Sequence, residues 1–222
     1  MKLQVALDLV DIEVAVGMAK TLYIGNAVDV LEAGTPLIKS SGMYAVSRLR
    51  ACCRNAVIFA DLKTMDAGSI EVKMAADAGA DMASVLAAAP LETIIEFIKS
   101  ASSNGIKSIV DFIGITNIDD RLSEILASGV RPDFIGLHVG IDIQRRTGLT
   151  AANLVNEAIK IKEKYGIQVT IAGGINEKIA AAIAGKDIDI VVVGNAITGA
   201  DDPLSSAIRI RRALGIESRA SK

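Results

Sequence analysis

A short run of β-branched and small apolar residues, then a turn and a longer helical segment, recurs along the whole of this 222-residue chain. Such runs predict strands, and apolar residues at three- and four-residue spacing predict helices. The predicted strands are Leu3–Leu7, Ala27–Glu32, Ala56–Asp61, Met82–Leu86, Ser108–Phe112, Phe134–His138, Gln168–Ala172 and Ile188–Val193. The predicted helices are Asp11–Tyr23, Leu37–Cys53, Ser69–Ala78, Leu91–Ser103, Ile118–Ala127, Ala151–Tyr165, Glu177–Ala184 and Pro203–Leu214.

Short strands that alternate with helices predict right-handed crossovers and a parallel sheet buried on both faces. Eight such units predict an α/β fold, a single-domain (β/α)8 TIM barrel over residues 1–215 with a C-terminal tail at 216–222. An open doubly wound sheet is the alternative, but no Gly-rich dinucleotide loop follows the first strand. The 51% hydrophobic and 3% aromatic content indicates a core of small aliphatic side chains.

Charge and apolar patterning argue against several classes of function. The formal net charge is −2, without the basic stripe that is typical of nucleic-acid binding. No apolar run approaches the roughly 18 residues of a membrane span, and charge follows the N-terminus too early for a signal peptide. Cys52 and Cys53 are adjacent and lack the spacing of a metal site. We therefore expect a cytoplasmic protein with no nucleic-acid or membrane partner.

Polar residues follow seven of the eight predicted strands, which is where a barrel of this kind carries its catalytic groups. These residues are Asp8, Glu32, Asp61 with Lys63, Asp111, His138 with Asp142, Gly173-Gly174, and Gly194-Asn195. The fourth strand ends in Val85-Leu86-Ala87 and carries no such group. Because all these ends meet at one mouth of the barrel, the sequence predicts a single site there.

Three charges, Asp61, Lys63 and Asp66, follow the third predicted strand. Buried charges are costly unless they pair or bind something, so we interpret them as part of the site. Glu32 and Asp61 end neighbouring strands and offer the oxygen ligands that suit Mg²⁺. Pairing of these carboxylates with Lys63 remains the alternative, and Lys63 is then an ion-pair partner and not a catalytic group.

His138 and the glycines after strands seven and eight complete the predicted site. Histidine is the side chain whose ordinary pKa suits proton transfer near neutrality, so His138 is a candidate base, although a structural role is the alternative. Asp142 either orients it or begins the next loop. Gly173-Gly174 and Gly194 predict a phosphate site on exposed backbone N–H groups. The alternative is that these glycines only form turns. Arg145 and Arg146 fit a phosphate clamp and a solvated loop equally well, and no role is assigned to them.

The chain resembles the orotidine-monophosphate decarboxylase suprafamily, and within it the 3-hexulose-6-phosphate synthase branch. The resemblance extends from Ala6-Leu7-Asp8-Leu9 to Asp202-Pro203, and its marks include an Asp-x-Lys-x-x-Asp element. They are Leu31-Glu32-Ala33-Gly34-Thr35-Pro36-Leu37-Ile38, Ala60-Asp61-Leu62-Lys63-Thr64-Met65-Asp66-Ala67-Gly68, Val110-Asp111-Phe112-Ile113-Gly114-Ile115, the segment from His138 to Gln144, and Ala172-Gly173-Gly174-Ile175.

The resemblance implies a Mg²⁺-dependent aldol reaction (with Mn²⁺ as a possible substitute) that joins ribulose 5-phosphate to formaldehyde through a metal-stabilised enediolate, and the reverse cleavage. By this analogy the metal is held by Glu32 and Asp61, and Lys63 contacts the substrate oxygens. His138 removes a proton from C1. Asp66 enters the site of a second subunit, so the resemblance implies a homodimer. The implied substrate-binding residues are Asp8, Thr35, Asp111, Asp142, Gly173, Gly174, Gly194 and Asn195.

Two positions depart from relatives within the suprafamily. Ile141 stands where ketogulonate-phosphate decarboxylases carry arginine, which argues against that branch, and Asn195 stands where some relatives have arginine after the glycine of strand eight. A 3-keto-L-gulonate-6-phosphate decarboxylase that uses the same enediolate chemistry is the alternative function. A non-catalytic phosphosugar-binding protein is the remaining one, and it is disfavoured because Asp61, Lys63 and His138 are all present.

Overall fold

Eight parallel strands, each hydrogen-bonded to the next in sequence order, close into a barrel in the computed structural model, which describes residues 1–217. The strands are β1 (Lys2–Leu7), β2 (Val30–Ala33), β3 (Val57–Thr64), β4 (Met82–Leu86), β5 (Lys107–Asp111), β6 (Phe134–His138), β7 (Gln168–Ala172) and β8 (Ile190–Val193). Closure is direct, because Leu3 of β1 pairs with Val191 of β8. The predicted (β/α)8 barrel is confirmed, and the open sheet is excluded.

Helices follow the strands and cover the outside of the barrel. They are α1 (Ile12–Ile24), α2 (Thr35–Ser41), α3 (Met43–Cys52), α4 (Gly68–Asp77), α5 (Leu91–Ser103), α6 (Ile118–Ala127), α7 (Ile141–Thr147), α8 (Val155–Tyr165), α9 (Glu177–Ile183), α10 (Asn195–Thr198) and α11 (Pro203–Ala213). The side chains of Asp11, Asn117 and Asn176 accept backbone N–H groups in the first turns of α1, α6 and α9, which explains where these helices begin.

The helical assignment differs from the sequence-based prediction in two ways. The predicted helix Leu37–Cys53 is divided into α2 and α3 at Gly42, whose φ of +61° is not helical. The short helices α7 and α10 were not predicted, since seven and four residues carry too little periodicity to be recognised. Helix α7 matters for the site, because it determines which residues after His138 face the barrel mouth.

The barrel interior is apolar at its floor and polar above it. A cluster of buried side chains fills the lower part, and its members are Val30, Phe59, Met82, Ile109, Phe134 and Ile190. Buried polar side chains lie above the cluster, among them Glu32, Asp61 and Asp111. The larger aliphatic core lies between the sheet and the helices. The apolar floor therefore closes the barrel at one end and leaves a polar cavity at the other.

No helix within residues 1–217 is long and apolar enough to cross a membrane. The predicted tail at 216–222 falls mostly outside the described residues, of which it contains only Ile216 and Glu217.

Candidate active site

A cavity of about 950 Å³ opens at the carboxyl ends of the strands, and residues from all eight strands line it. Eleven of the predicted site residues lie together in this lining: Asp8, Glu32, Thr35, Asp61, Lys63, Asp111, His138, Gly173, Gly174, Gly194 and Asn195. Asp66 and Asp142 are not in the lining of the described chain.

Strand β3 contains an irregularity that brings two charged side chains together. Ala60 pairs with Ala83 and Thr64 with Val85, so three residues of β3 lie opposite Ser84 alone. Lys63 has a φ of +47°, which is uncommon for a residue with a side chain. The bulge extends β3 beyond its predicted end at Asp61 and directs the Lys63 ammonium group back onto the Asp61 carboxylate.

Ser84 holds this bulge in place, although the sequence placed no polar group at the end of the fourth strand. Its hydroxyl accepts the Lys63 N–H at 3.0 Å and donates to Asp61 Oδ1 at 2.8 Å. Ser84 lies two residues before the strand end and points into the barrel. Val85-Leu86-Ala87 carries no polar side chain, as the sequence analysis stated, and Ser84 just before it is a site residue that was missed. A single serine within an otherwise apolar strand was the available signal.

We expect Ser84→Ala to lower the free energy of unfolding by about 1–3 kcal/mol, because the buried Lys63 N–H loses its acceptor. Urea denaturation followed by circular dichroism measures the change. Ser103→Ala is the matched control, since it removes an exposed hydroxyl that bonds within its own helix and is expected to stay within about 0.5 kcal/mol of the parent. Equal stability of the two variants would contradict the role of Ser84.

The carboxylate of Asp61 is buried and ionised. Burial alone would raise its pKa, but the Lys63 ammonium and hydrogen bonds from Thr35 and Ser84 lower that pKa below its ordinary value. The Thr35 hydroxyl donates to Asp61 Oδ2 at 2.8 Å. Burial would likewise lower the pKa of Lys63, but the nearby negative charges of Asp61 and Asp111 raise it. Both groups therefore carry their charges at neutral pH.

The pKa of Glu32 is shifted in the opposite direction, upward. Its side chain is buried, and burial together with the negative charges of Asp61 and Asp8 raises its pKa well above the ordinary value. Gln4, which the sequence reasoning missed, donates its amide to Glu32 Oε2 at 2.6 Å. The Glu32 carboxylate thus lies in a region that is short of positive charge.

The donor set of the cavity fits a cation that keeps part of its water shell. Across the described chain, no group of three or more His, Cys, Asp or Glu side chains is arranged to hold a metal ion. Mg²⁺ is commonly bound through one or two carboxylates with waters in the remaining positions. Glu32 and Asp61 supply two carboxylates of this kind, and the raised pKa of Glu32 indicates that a nearby divalent cation would be stabilised electrostatically.

His138 faces Asp111 across the barrel mouth. Its Nδ1 lies 3.3 Å from Asp111 Oδ2, and the other oxygen of that carboxylate accepts the Ile113 N–H at 2.9 Å. Asp111 also lies 3.8 Å from the Lys63 ammonium group. A row of ionisable side chains therefore runs Asp61, Lys63, Asp111, His138. With Nδ1 held by Asp111, Nε2 is the ring nitrogen available to a bound molecule.

Asp142 does not orient His138. It lies on α7 with its side chain 91% exposed, and its nearest charged partner is Arg145 at 4.0 Å. Of the two interpretations of Asp142, the structure favours the one in which it begins the segment after β6, because Asp111 occupies the position beside His138 Nδ1.

Gly173 and Gly174, which follow β7, line the cavity. Gly173 and Gly174 have φ values of +117° and +67°, and a Cβ on Gly173 would lie 2.4 Å from the Val139 carbonyl oxygen. Their N–H groups donate to no other backbone group of residues 1–217. Gly194 and Asn195 lie at the adjacent end of β8. This arrangement can accept an anion on backbone donors.

Asp66 is exposed, and its side chain accepts the neighbouring Ala67 N–H at 2.7 Å. Three large apolar side chains beside it are also exposed: Met65 (50%), Ile70 (62%) and Met74 (50%). Ile70 and Met74 are four residues apart on α4 and therefore share one face of that helix. This surface beside Asp66 is apolar in the described chain.

Comparisons with known proteins identify the family of the chain. The model of the orotidine 5'-phosphate decarboxylase / HUMPS family matches residues 1–210. The chain is 35% identical to 3-hexulose-6-phosphate synthase from Mycobacterium gastri over 96% of this chain and 100% of that protein. A crystal structure of 3-hexulose-6-phosphate synthase from Salmonella typhimurium has a TM-score of 0.88 at 31% identity, covering 96% of this chain and 98% of the other.

A decarboxylase of the same fold is similar to the chain as well. The crystal structure of 3-keto-L-gulonate-6-phosphate decarboxylase from Vibrio cholerae has a TM-score of 0.81 at 28% identity, covering 96% of this chain and 97% of the other.

Proposed function

This chain belongs to the orotidine 5'-phosphate decarboxylase / HUMPS family, and we propose that it is a cytoplasmic carbon–carbon lyase, a 3-hexulose-6-phosphate synthase that joins ribulose 5-phosphate to formaldehyde. The observation that carries the proposal is the row of Asp61, Lys63, Asp111 and His138 in the cavity. The row combines a proton acceptor with fixed positive charge. That combination suits proton removal beside a carbonyl group.

The chain's own residues divide this chemistry among them. His138 Nε2 takes the proton from C1 of the ketose, and Asp111 holds the ring and stabilises the imidazolium. Negative charge then develops on the two oxygens of the enediolate, and the Lys63 ammonium group donates to one of them. Carbon C1 attacks formaldehyde, and the oxygen of the aldehyde takes up a proton from the His138 imidazolium, which restores the neutral ring.

Glu32 and Asp61 are the residues that would hold Mg²⁺, and Asp61 remains in place through Thr35 and Ser84. The cation, when bound, supplies positive charge to the developing enediolate oxygens. Mn²⁺, with the same preference for oxygen ligands, is an expected substitute. Asp8 and Thr35 follow the neighbouring strands β1 and β2 and line the cavity, and their proposed role is to contact the sugar hydroxyls.

The alternative activity is decarboxylation of 3-keto-L-gulonate 6-phosphate through the same enediolate. One observation disfavours it. Ile141 lines the mouth close to His138 and supplies no proton or positive charge there. The enediolate that remains after loss of carbon dioxide must be protonated on carbon to give the product. An enediolate that attacks formaldehyde forms a carbon–carbon bond at that carbon and needs no proton there.

The test is a pair of assays on the same preparation. Formaldehyde consumption is measured with ribulose 5-phosphate in Mg²⁺ and in EDTA, and carbon dioxide release is measured with 3-keto-L-gulonate 6-phosphate. Ribulose without its phosphate is the control substrate. We expect Mg²⁺-dependent loss of formaldehyde with the phosphorylated ketose and little carbon dioxide. Carbon dioxide release without formaldehyde consumption would favour the decarboxylase.

We further propose that the active unit is a homodimer in which Asp66 reaches the site of the partner subunit. Its exposure, and the apolar surface of Met65, Ile70 and Met74 beside it, support this arrangement. The dimer would then have two active sites at one two-fold interface, and each site would contain residues of both subunits.

Ile70→Asp is expected to raise the dissociation constant of the dimer by at least ~100-fold, because an unpaired carboxylate would be buried in the interface. Sedimentation velocity over a range of concentrations measures it. Ile24→Asp is the matched control, since Ile24 is 70% exposed at the end of α1, away from this surface. A dimer that survives Ile70→Asp unchanged, or a monomeric parent protein, would contradict the proposal.

A further inference from the structure

Acidic side chains outnumber basic ones in the cavity lining. Four carboxylates, Asp8, Glu32, Asp61 and Asp111, face two permanent cations, Lys63 and Arg145. Lys63 is already paired with Asp61 and lies near Asp111. A sugar phosphate brings up to two further negative charges. Within the described lining, Arg145 is therefore the one permanent cation that no buried carboxylate engages.

Helix α7 presents a single face to the cavity. Ile141, Gln144 and Arg145 line it, while Asp142, Ile143 and Arg146 do not. Residues three and four apart lie on one face of a helix, so Ile141, Gln144 and Arg145 are the residues of α7 that can face the cavity together. Two adjacent arginines are thereby separated, with Arg145 at the mouth and Arg146 turned away.

Gln144 anchors this face against the glycines that follow β7. Its side-chain amide donates to the Val139 carbonyl oxygen at 2.6 Å. A Cβ on Gly174 would lie 3.0 Å from Gln144 Oε1, so the two residues are packed in contact. Arg145, the next residue along α7, lines the same cavity as Gly173 and Gly174.

The guanidinium group of Arg145 has no strong partner in the described chain. Its side chain is 73% exposed, and its nearest carboxylate is that of Asp142 at 4.0 Å, itself 91% exposed. We propose that Arg145 binds the phosphate group of the substrate from the β6–α7 side, together with the backbone N–H groups after β7. A guanidinium group matches two phosphate oxygens at once. This inference rests on the proposed function for the identity of the phosphosugar.

The residue at the end of β8, Asn195, is neutral. Asparagine can donate a hydrogen bond to the phosphate but adds no charge. Arg145 then supplies from α7 the positive charge that β8 does not. Since Arg145 is exposed, its contribution falls as salt is added.

Arg145→Gln, with Arg146→Gln as the matched control, tests the proposal. We expect Arg145→Gln to raise KM for ribulose 5-phosphate about 10-fold, the scale of one charge-assisted contact, with kcat within about twofold. Arg145→Lys is expected to recover part of the loss. Arg146→Gln, which changes the same net charge outside the cavity, is expected to leave KM within about twofold.

Calorimetric titration with inorganic phosphate and with ribulose 5-phosphate supplies the readout that does not depend on turnover. Both ligands are expected to bind Arg145→Gln more weakly, with a smaller salt dependence than the parent. Unchanged affinities in Arg145→Gln, or an equal loss in Arg146→Gln, would overturn the assignment. If the parent protein consumes no formaldehyde but loses phosphate affinity in Arg145→Gln, the proposed function fails and the role of Arg145 stands.

Discussion

Replacing His138 with asparagine is expected to reduce turnover by about 10²–10⁴-fold, the usual contribution of a positioned general base. Asparagine retains a polar group near Asp111 but accepts no proton in the relevant pH range. Exchange of the C1 proton of ribulose 5-phosphate with D₂O, followed by proton NMR in the absence of formaldehyde, isolates the step. Exchange is expected to disappear while the affinity for the phosphosugar stays within about twofold.

Arg146→Gln is the control for this experiment, since Arg146 lies outside the cavity lining. It is expected to exchange the proton at the rate of the parent. Exchange that persists in His138→Asn would assign the base to another residue and would remove His138 from the mechanism.

Replacing Asp61 is expected to produce the second large effect. Asp61→Asn takes away one of the two proposed metal-binding carboxylates and leaves the Lys63 ammonium group without its closest counter-charge. We expect Mg²⁺-dependent turnover to fall at least ~10³-fold, as expected when electrostatic stabilisation and positioning are lost together. We also expect stability to fall by about 3 kcal/mol, because removal of one partner leaves a buried charge uncompensated.

The stability effect has a defined pH dependence. The folded-state pKa of Asp61 is lowered, so its ion pair stabilises the parent above the ordinary pKa of aspartate, and that stabilisation is lost as pH falls through the lowered value. The difference between parent and Asp61→Asn in urea denaturation is therefore expected to be full at pH 7 and to shrink in acid.

Thr35→Val serves as a milder variant in case Asp61→Asn fails to fold. It removes one hydrogen bond to Asp61 Oδ2 and keeps the carboxylate. About 1 kcal/mol of stability is expected to be lost. Mg²⁺-dependent turnover at the parent rate in a folded Asp61→Asn protein would refute the assignment of Asp61.

The eight strands and the place of the site follow from local sequence patterns. Strand and helix periods repeat clearly, and the carboxyl ends of parallel strands must meet at one mouth. The predicted barrel is confirmed, as is membership of the family that the Asp-x-Lys-x-x-Asp element around Asp61 indicated. The roles of the individual site residues remain predictions.

Features that depend on strand register and on packing could not be read from the chain. The bulge in β3 exists only relative to β4, so neither its position nor the role of Ser84 was evident from sequence. Gln4 looked like an ordinary residue near the start of β1, and only its contact with Glu32 identifies it as part of the site. The orientation of Asp142 could not be decided from sequence, because α7 is too short to be recognised by periodicity.

The most direct test of the central claim is to follow ¹³C-labelled formaldehyde with ribulose 5-phosphate and Mg²⁺ by carbon NMR. The account predicts that the label becomes bonded to C1 of the ketose in the product, and that the signal is absent with His138→Asn. Labelled formaldehyde that remains free with the folded parent protein, under conditions in which ribulose 5-phosphate binds, would contradict the claim that this cavity forms a carbon–carbon bond.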